Sequence, residues 1–246
     1  HLALAVACIR ADPDQSQKWV PAFAGMTFTM IETLRAKTGI APTELRYLAL
    51  GDSYTIGEGV ADAGRWPVQL VQALRADGLA ITDPQVIAQT GWTTDELDAA
   101  IDAAHLLPEY DLASLLIGVN NQYRGRSVEE YREQFGGLLE RAIGFTQGRR
   151  ERVLVLSIPD WGVTAFGQQD ARGMAGIAAE IDTFNAAAQD ICRQRGVAFV
   201  DITGVSRTLG EQAAMQAADG LHPSALMYAE WTRLALPYAR AMVATA

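Results

Sequence analysis

YLALGDSYTIGEG, residues 47–59, runs a short apolar segment into Gly-Asp-Ser and follows it with two further glycines. An apolar run that stops abruptly on small and polar residues reads as a buried strand ending in a tight turn. Such a turn either reverses the chain or presents Ser53. The pattern on either side bears on that choice.

Downstream, strand and helix patterns alternate. The first strand covers Leu45–Leu50, and Val68, Val71 and Leu74 then recur at helical spacing, with Gly78 as a stop. A second strand is expected at Gln85–Gln89. TTDELDAAIDAAHL follows with a Thr cap, acids in its first turn, and Leu97 and Ile101 four apart. YDLASLLIGVN is almost wholly apolar, as a strand covered on both faces should be. SVEEYREQFGGLLERAI reads as a helix with a Ser cap and Glu130 three residues on. RVLVLSIPD is a fourth strand, and the long helix MAGIAAEIDTFNAAAQDICRQRG ends at Gly196. VAFVDIT is a fifth strand. The last helix, SALMYAEWTRLALPYARAMV, contains Pro237, which is expected to kink or shorten it. Five strands separated by helices argue for an α/β domain, a parallel sheet with helices on both faces. The pattern alone leaves strand order open.

Composition supports this and excludes other classes. The chain of 246 residues with 49% apolar residues can bury one sizeable core. A net charge of -9, with no basic run, makes nucleic acid a poor partner. Two cysteines, Cys8 and Cys192, and three histidines fit no metal spacing, so neither a metal nor another cofactor is expected. No apolar stretch is long enough to span a membrane. Residues 1–40 read as a poorly structured extension or non-native leader before a domain at 41–246, and Met26 and Met30 are candidate starts. Leu2–Cys8 resembles the end of a secretory apolar region, although no basic segment precedes it. A cytoplasmic protein is favoured, with a periplasmic, secreted or lipid-anchored one as the alternative if Leu2–Cys8 is a signal-peptide remnant.

Ligands of open parallel sheets bind at the carboxyl ends of the strands. In this chain those ends read GDSYT, QTGW, GVNNQ and SIPDW, and DGLHP precedes the last helix. Ser53 is the candidate nucleophile, and a serine hydroxyl needs a base within reach. His1 is terminal and His105 lies in an amphipathic helical pattern, which leaves His222. Asp219, three residues earlier, can reach one imidazole nitrogen and leave the other free for Ser53. A developing oxyanion would find three donors: the N–H of Ser53, the N–H of Gly91 and the side-chain amide of Asn120. Taken singly, each motif has a plainer reading as a turn. Their joint placement at successive strand ends favours chemistry.

The same residues resemble the SGNH hydrolases, also called the GDSL esterase/lipase family. GDSYT is similar to the first family block and supplies Ser53; QTGW supplies Gly91, GVNN supplies Asn120, and DGLHP supplies Asp219 and His222. The resemblance covers the chain from about Leu45 to Pro223. It implies a flavodoxin-like three-layer α/β/α sandwich of sheet order 2-1-3-4-5, and hydrolysis of an ester or thioester of a small molecule without metal. Two positions depart from the family pattern: Asn121 stands where the third block has Asp, and Tyr54 where the name-giving Leu would stand. Tyr54, Trp66, Trp92, Tyr123 and Trp161 are candidate walls of a substrate pocket or caps on the core. Arg124–Arg126, RGR, reads as a solvated turn rather than an anion site. The rival function is a non-catalytic small-ligand binding module on the same sheet.

Overall fold

The computed structural model describes residues 44–244. The expected extension at 1–40, Leu2–Cys8, Met26 and Met30 lie outside them. Strand β1 (Tyr47–Gly51) is buried along its whole length. It is followed by the short helix α1 (Ser53–Ile56), then α2 (Trp66–Ala76), whose apolar positions Leu70, Val71 and Leu74 face inward. β2 (Gln85–Ala88) and α3 (Thr94–Ala104) lead to β3 (Leu112–Leu116) and the short helix α4 (Val119–Tyr123). α5 (Val128–Phe145), β4 (Val153–Leu156), α6 (Gly173–Arg195), β5 (Ala198–Val200), α7 (Thr203–Leu209) and α8 (Ala225–Val243) complete the chain.

The five strands form one parallel sheet of order β2-β1-β3-β4-β5. That is the order the family resemblance implies. β1, β3 and β4 are buried throughout, while β2 and β5 at the edges are partly exposed. Hydrophobic faces dictate the layers. α2 packs with α8, and α3 and α6 both pack against α5. Among the described residues no helix is long and apolar enough to cross a membrane.

Two local expectations need correction. α8 neither stops nor shortens at Pro237 but runs through it to Val243. Pro237 and Arg233, whose carbonyl loses its helical partner, both lie on the solvent face, where water can satisfy that carbonyl. The opposite face buries Trp231, Ala235 and Ala239, and a two-pronged pair from Arg240 to Asp77 at 2.6 and 2.8 Å fastens the helix end to the end of α2. His105 does not sit within α3 but ends it, exposed and in the left-handed conformation with φ 47°.

β3 ends on a turn that only glycine fits. Gly118 has φ +126°, and a Cβ there would stand 2.5 Å from Tyr131 Cε2 and 3.0 Å from Ile158 Cδ1. Tyr131 is fully buried and anchored by its hydroxyl to Ile117 O at 3.2 Å, so it cannot withdraw cheaply. Gly118→Ala is therefore expected to lower unfolding stability by about 3 kcal/mol through overpacking and backbone strain. Urea denaturation checks this, and a loss below about 1 kcal/mol would mean that the Tyr131 ring yields.

Candidate active site

The chain leaves β1 for β2 on one side and returns to β3 on the other, and that reversal opens a crevice at the strand ends. Gly51 and Leu116, the last residues of β1 and β3, pair directly. Ser53 is two residues beyond Gly51, at the first position of α1. Asp52 caps this helix, its Oδ1 accepting from Tyr54 N–H at 3.0 Å. The Ser53 N–H is one of the helix-end donors with no intrahelical acceptor, and it has no partner among the described residues.

Gly91 lies in a turn closed by Trp92 N–H donating to Gln89 O at 3.3 Å. Its φ of +88° is one that the third position of a type II turn requires. The Gly91 N–H also has no partner among the described residues. Arg124 donates to Gly91 O at 2.6 Å, and Thr90 Oγ1 to Glu58 at 2.5 Å. Asn120 opens the third loop. Its Nδ2 donates to Trp92 O at 2.9 Å, and the second amide hydrogen is left over.

Asn121, which departs from the resembled third block, is fully buried. Its Oδ1 accepts from Thr94 N–H at 3.1 Å and its Nδ2 donates to Thr94 Oγ1 at 2.7 Å; that hydroxyl donates in turn to Gln134. The neutral amide thus joins the starts of α3 and α4 as both acceptor and donor, which a carboxylate cannot do.

His222 sits just before α8. Its Nδ1 is 2.6 Å from Asp219 Oδ2, and its own N–H donates to Asp219 Oδ1 at 3.0 Å. A carboxylate only accepts, so Nδ1 carries the hydrogen, and in the neutral imidazole Nε2 then keeps its lone pair. Partial burial pushes the Asp219 carboxyl up, but the hydrogen bonds from His222 and the N–H groups of Leu221 and His222 outweigh it and hold the pKa below its ordinary value. Phe166 N–H on Gly220 O at 2.9 Å and Ala217 N–H on His222 O at 2.7 Å pin the turn.

Ser53, Gly91, Asn120 and His222 line one cleft of about 180 Å³. Asp219 stands behind His222. No direct hydrogen bond joins Ser53 Oγ to His222 among the described residues. The apolar wall comprises Val119, Tyr123, Trp161, Phe166 and Leu221. Tyr54 also lines the cleft but is buried beneath it, edge-on to His222 with ring centres 5.9 Å apart. Trp161 is held by its indole N–H donating to Gln122 Oε1 at 2.9 Å, while Gln122 donates to Glu180 at 2.6 Å. The Arg172 guanidinium stacks over the Trp161 and Tyr123 rings at 5.1 and 5.5 Å.

Two aromatic candidates lie elsewhere. Trp66 is wholly buried in the core, and Trp92 packs against the core and reaches the site only through its carbonyl on Asn120. RGR is not simply a solvated turn: Arg124 grips the Gly91 loop, and Arg126 pairs with Asp95 at 2.5 Å. Sequence reasoning missed Val119, Phe166, Leu221 and Thr90 in the lining and Gln122 behind Trp161. Thr90, Val119, Gln122 and Leu221 carried one signal, since they lie in the motifs QTGW, GVNNQ and DGLHP already marked for chemistry; Phe166 lies outside them. Among the described residues no group of three or more His, Cys, Asp or Glu is placed to hold a metal.

A family model described as GDSL-like lipase/acylhydrolase matches residues 49–230. The chain belongs to the GDSL-like lipase/acylhydrolase family. It is accordingly a serine esterase acting on ester bonds. Solved structures share the fold. The lipase/acylhydrolase from Enterococcus faecalis is similar at 20% identity and TM-score 0.64, over 80% of this chain and 96% of its own. TesA is similar at 18% identity and TM-score 0.62, over 80% and 99%. Axe2, an acetylxylan esterase from Geobacillus stearothermophilus, is similar at 18% identity and TM-score 0.60, over 79% and 94%. No curated protein matches the chain by sequence.

Two predictions arise from this GDSL-like site. Asn121→Asp should cost about 1–3 kcal/mol, because a buried bond is lost and Thr94 can no longer serve both neighbours. Urea midpoints at neutral pH measure it, and an unchanged midpoint would show that Thr94 and Gln134 rearrange freely. The second concerns Asp52, fully buried with Oδ2 unpartnered among the described residues. Burial pushes its carboxyl from 3.8 up to about 7. The folded protein therefore keeps this proton where the unfolded chain has lost it. The resulting stability is fully present below about pH 4 and disappears as pH rises through about 7. Asp52→Asn keeps the cap acceptor and never ionises, so its stability relative to the parent should rise across that interval and level off above it. A difference that does not vary with pH would refute the assignment.

Proposed function

We propose that the protein cleaves carboxylic esters or thioesters of a small substrate, using Ser53, His222 and Asp219. The observation that carries this reading is the 2.6 Å Asp219–His222 bond, which leaves the imidazole Nε2 free in the cleft that Ser53 lines. His222 Nε2 takes the Ser53 Oγ proton as Oγ attacks the ester carbonyl, and the carbonyl π electrons move onto oxygen. The N–H groups of Ser53 and Gly91 and the second Asn120 amide hydrogen stabilise that oxyanion. Collapse expels the alkoxide or thiolate, which receives the proton from His222. Water then attacks the acyl-Ser53 with His222 again as base, releasing the acid and restoring the serine. The absent Ser53–His222 bond is consistent with this, because catalytic hydrogen bonds in ligand-free enzymes often tighten only when substrate binds.

Cleft size and charge support a small, uncharged acyl or alcohol group. About 180 Å³ exceeds the roughly 150 Å³ cavity that accepts benzene in another protein. Among the described residues lining the cleft, His222 alone is able to carry a positive charge. Asp219 contributes by orienting the imidazole and stabilising its protonated form.

Intact-protein mass spectrometry after fluorophosphonate treatment tests the assignment, followed by peptide mapping and an ester panel of graded acyl length. A single adduct on Ser53, absent in Ser53→Ala, is expected. Ser53→Ala and His222→Ala should each lose at least about 10³-fold in kcat/KM with the fold intact. Asp219→Asn should lose about 10²-fold or more. Full activity in purified Ser53→Ala would sink the reading, and a folded parent that takes no label would favour the binding module.

A further inference from the structure

We propose that Arg124 is a positioning residue that sets the Gly91 N–H on the oxyanion; this rests on the serine-hydrolase reading above. Arg124 ends α4, and its own N–H donates to Asn120 O at 3.0 Å. One Nη donates to Gly91 O at 2.6 Å, and the other meets Glu96 Oε2 at 3.3 Å. A single residue therefore grips both loops that carry proposed oxyanion donors, by its backbone on one and its side chain on the other. The N–H and the carbonyl of Gly91 belong to adjacent peptide planes that meet at a Cα without a side chain, at φ +88°, so the setting of the N–H rests on the bonds that hold the following plane: Arg124 on Gly91 O and Trp92 N–H on Gln89 O. The guanidinium has a fixed fork, so the carboxylate that orients one arm also orients the other.

Energetics separate this role from a stabilising one. The Arg124–Glu96 pair has side chains 42% and 41% exposed, and ion pairs that open to water add little to stability. The position of an oxyanion donor, by contrast, is felt fully in the transition state, where loss of one costs about 10²–10³ in kcat. Glu96 is meanwhile engaged in the α3 capping box, accepting from Thr93 N–H at 2.8 Å, so the fork's far arm rests on a fixed point.

The test is steady-state kinetics on a small neutral ester, with the rate of fluorophosphonate labelling, for Arg124→Ala and Arg124→Lys. Arg124→Ala should lose about tenfold to a hundredfold in kcat, with KM changed less than about threefold. Labelling should slow in parallel, and added guanidinium ion at millimolar concentration should restore part of the rate. Arg124→Lys keeps the charge but has no fork, so it should lose activity too. If Arg124→Ala does not fold, Arg124→Lys decides the question alone. Parental kcat in a folded variant would overturn the proposal, as would loss without guanidinium rescue. So would a rise in KM for an anionic ester alone, which would make Arg124 a substrate anchor. Ser53→Ala distinguishes the two levels: if it stays active the hydrolase reading fails, and if it is inactive while both Arg124 variants match the parent only this inference fails.

Discussion

The pairing of Gly51 with Leu116 in the parallel ladder of β1 and β3 is the constraint on which the cleft depends. Ser53 follows one of these residues by two positions and Asn120 follows the other by four. A slip of one residue between the strands would move one loop against the other by about 3.3 Å. It would also exchange the faces of a strand that is buried on both. Productive geometry tolerates about 0.5 Å. The hydrophobic register of the sheet is thus what sets distances at the site, and the polar contacts among Trp92, Asn120, Arg124 and Gly91 trim what the register has already fixed.

Much of the fold was legible because its signals are local. Helix starts at Thr93 and Ser127 follow from bonds between side chain and backbone three residues apart, and both form: Glu96 accepts from Thr93 N–H, and Ser127 Oγ accepts from Glu130 N–H. The strands could be read as buried because Leu112–Leu116 has no polar alternation to place a solvent face, and even its Ser114 is consumed by Tyr47 at 2.7 Å. Pro237 does not shorten α8, for a related reason. Its effect depends on which face of α8 it occupies and on what holds the far end, and neither Trp231 packing nor Arg240–Asp77 pairing is visible in a window around the proline.

At the site, the sequence marked the residue types that chemistry needs but not their supports. Asp219 and His222 lie three apart, so the turn joining them could be reasoned locally. Gln122 behind Trp161, or Arg124 behind Gly91, could not, because those partners are 39 and 33 residues away: the first pair meets only once β3 and β4 have paired, the second only once β2, β1 and β3 have assembled. Aromatic residues were similarly ambiguous. Trp66, Trp92 and Trp161 all flank strand-end loops, yet one is core, one is a backbone prop and one is a cleft wall. What separates them is the neighbouring polar group that each indole finds or lacks: Trp161 has Gln122, and Trp66 Nε1 is buried with no partner among the described residues.

The turn that carries Asp219 and His222 has a mechanical consequence. Acid and imidazole are bound to each other twice within four residues, through Nδ1 and through the His222 N–H, and the turn is fastened to Phe166 and Ala217. The pair therefore keeps its mutual geometry through bonds made within the turn itself. Ser53 is held separately, at the first position of α1 two residues beyond β1. The tautomer that Asp219 imposes on His222 is consequently set independently of the distance from the imidazole to Ser53.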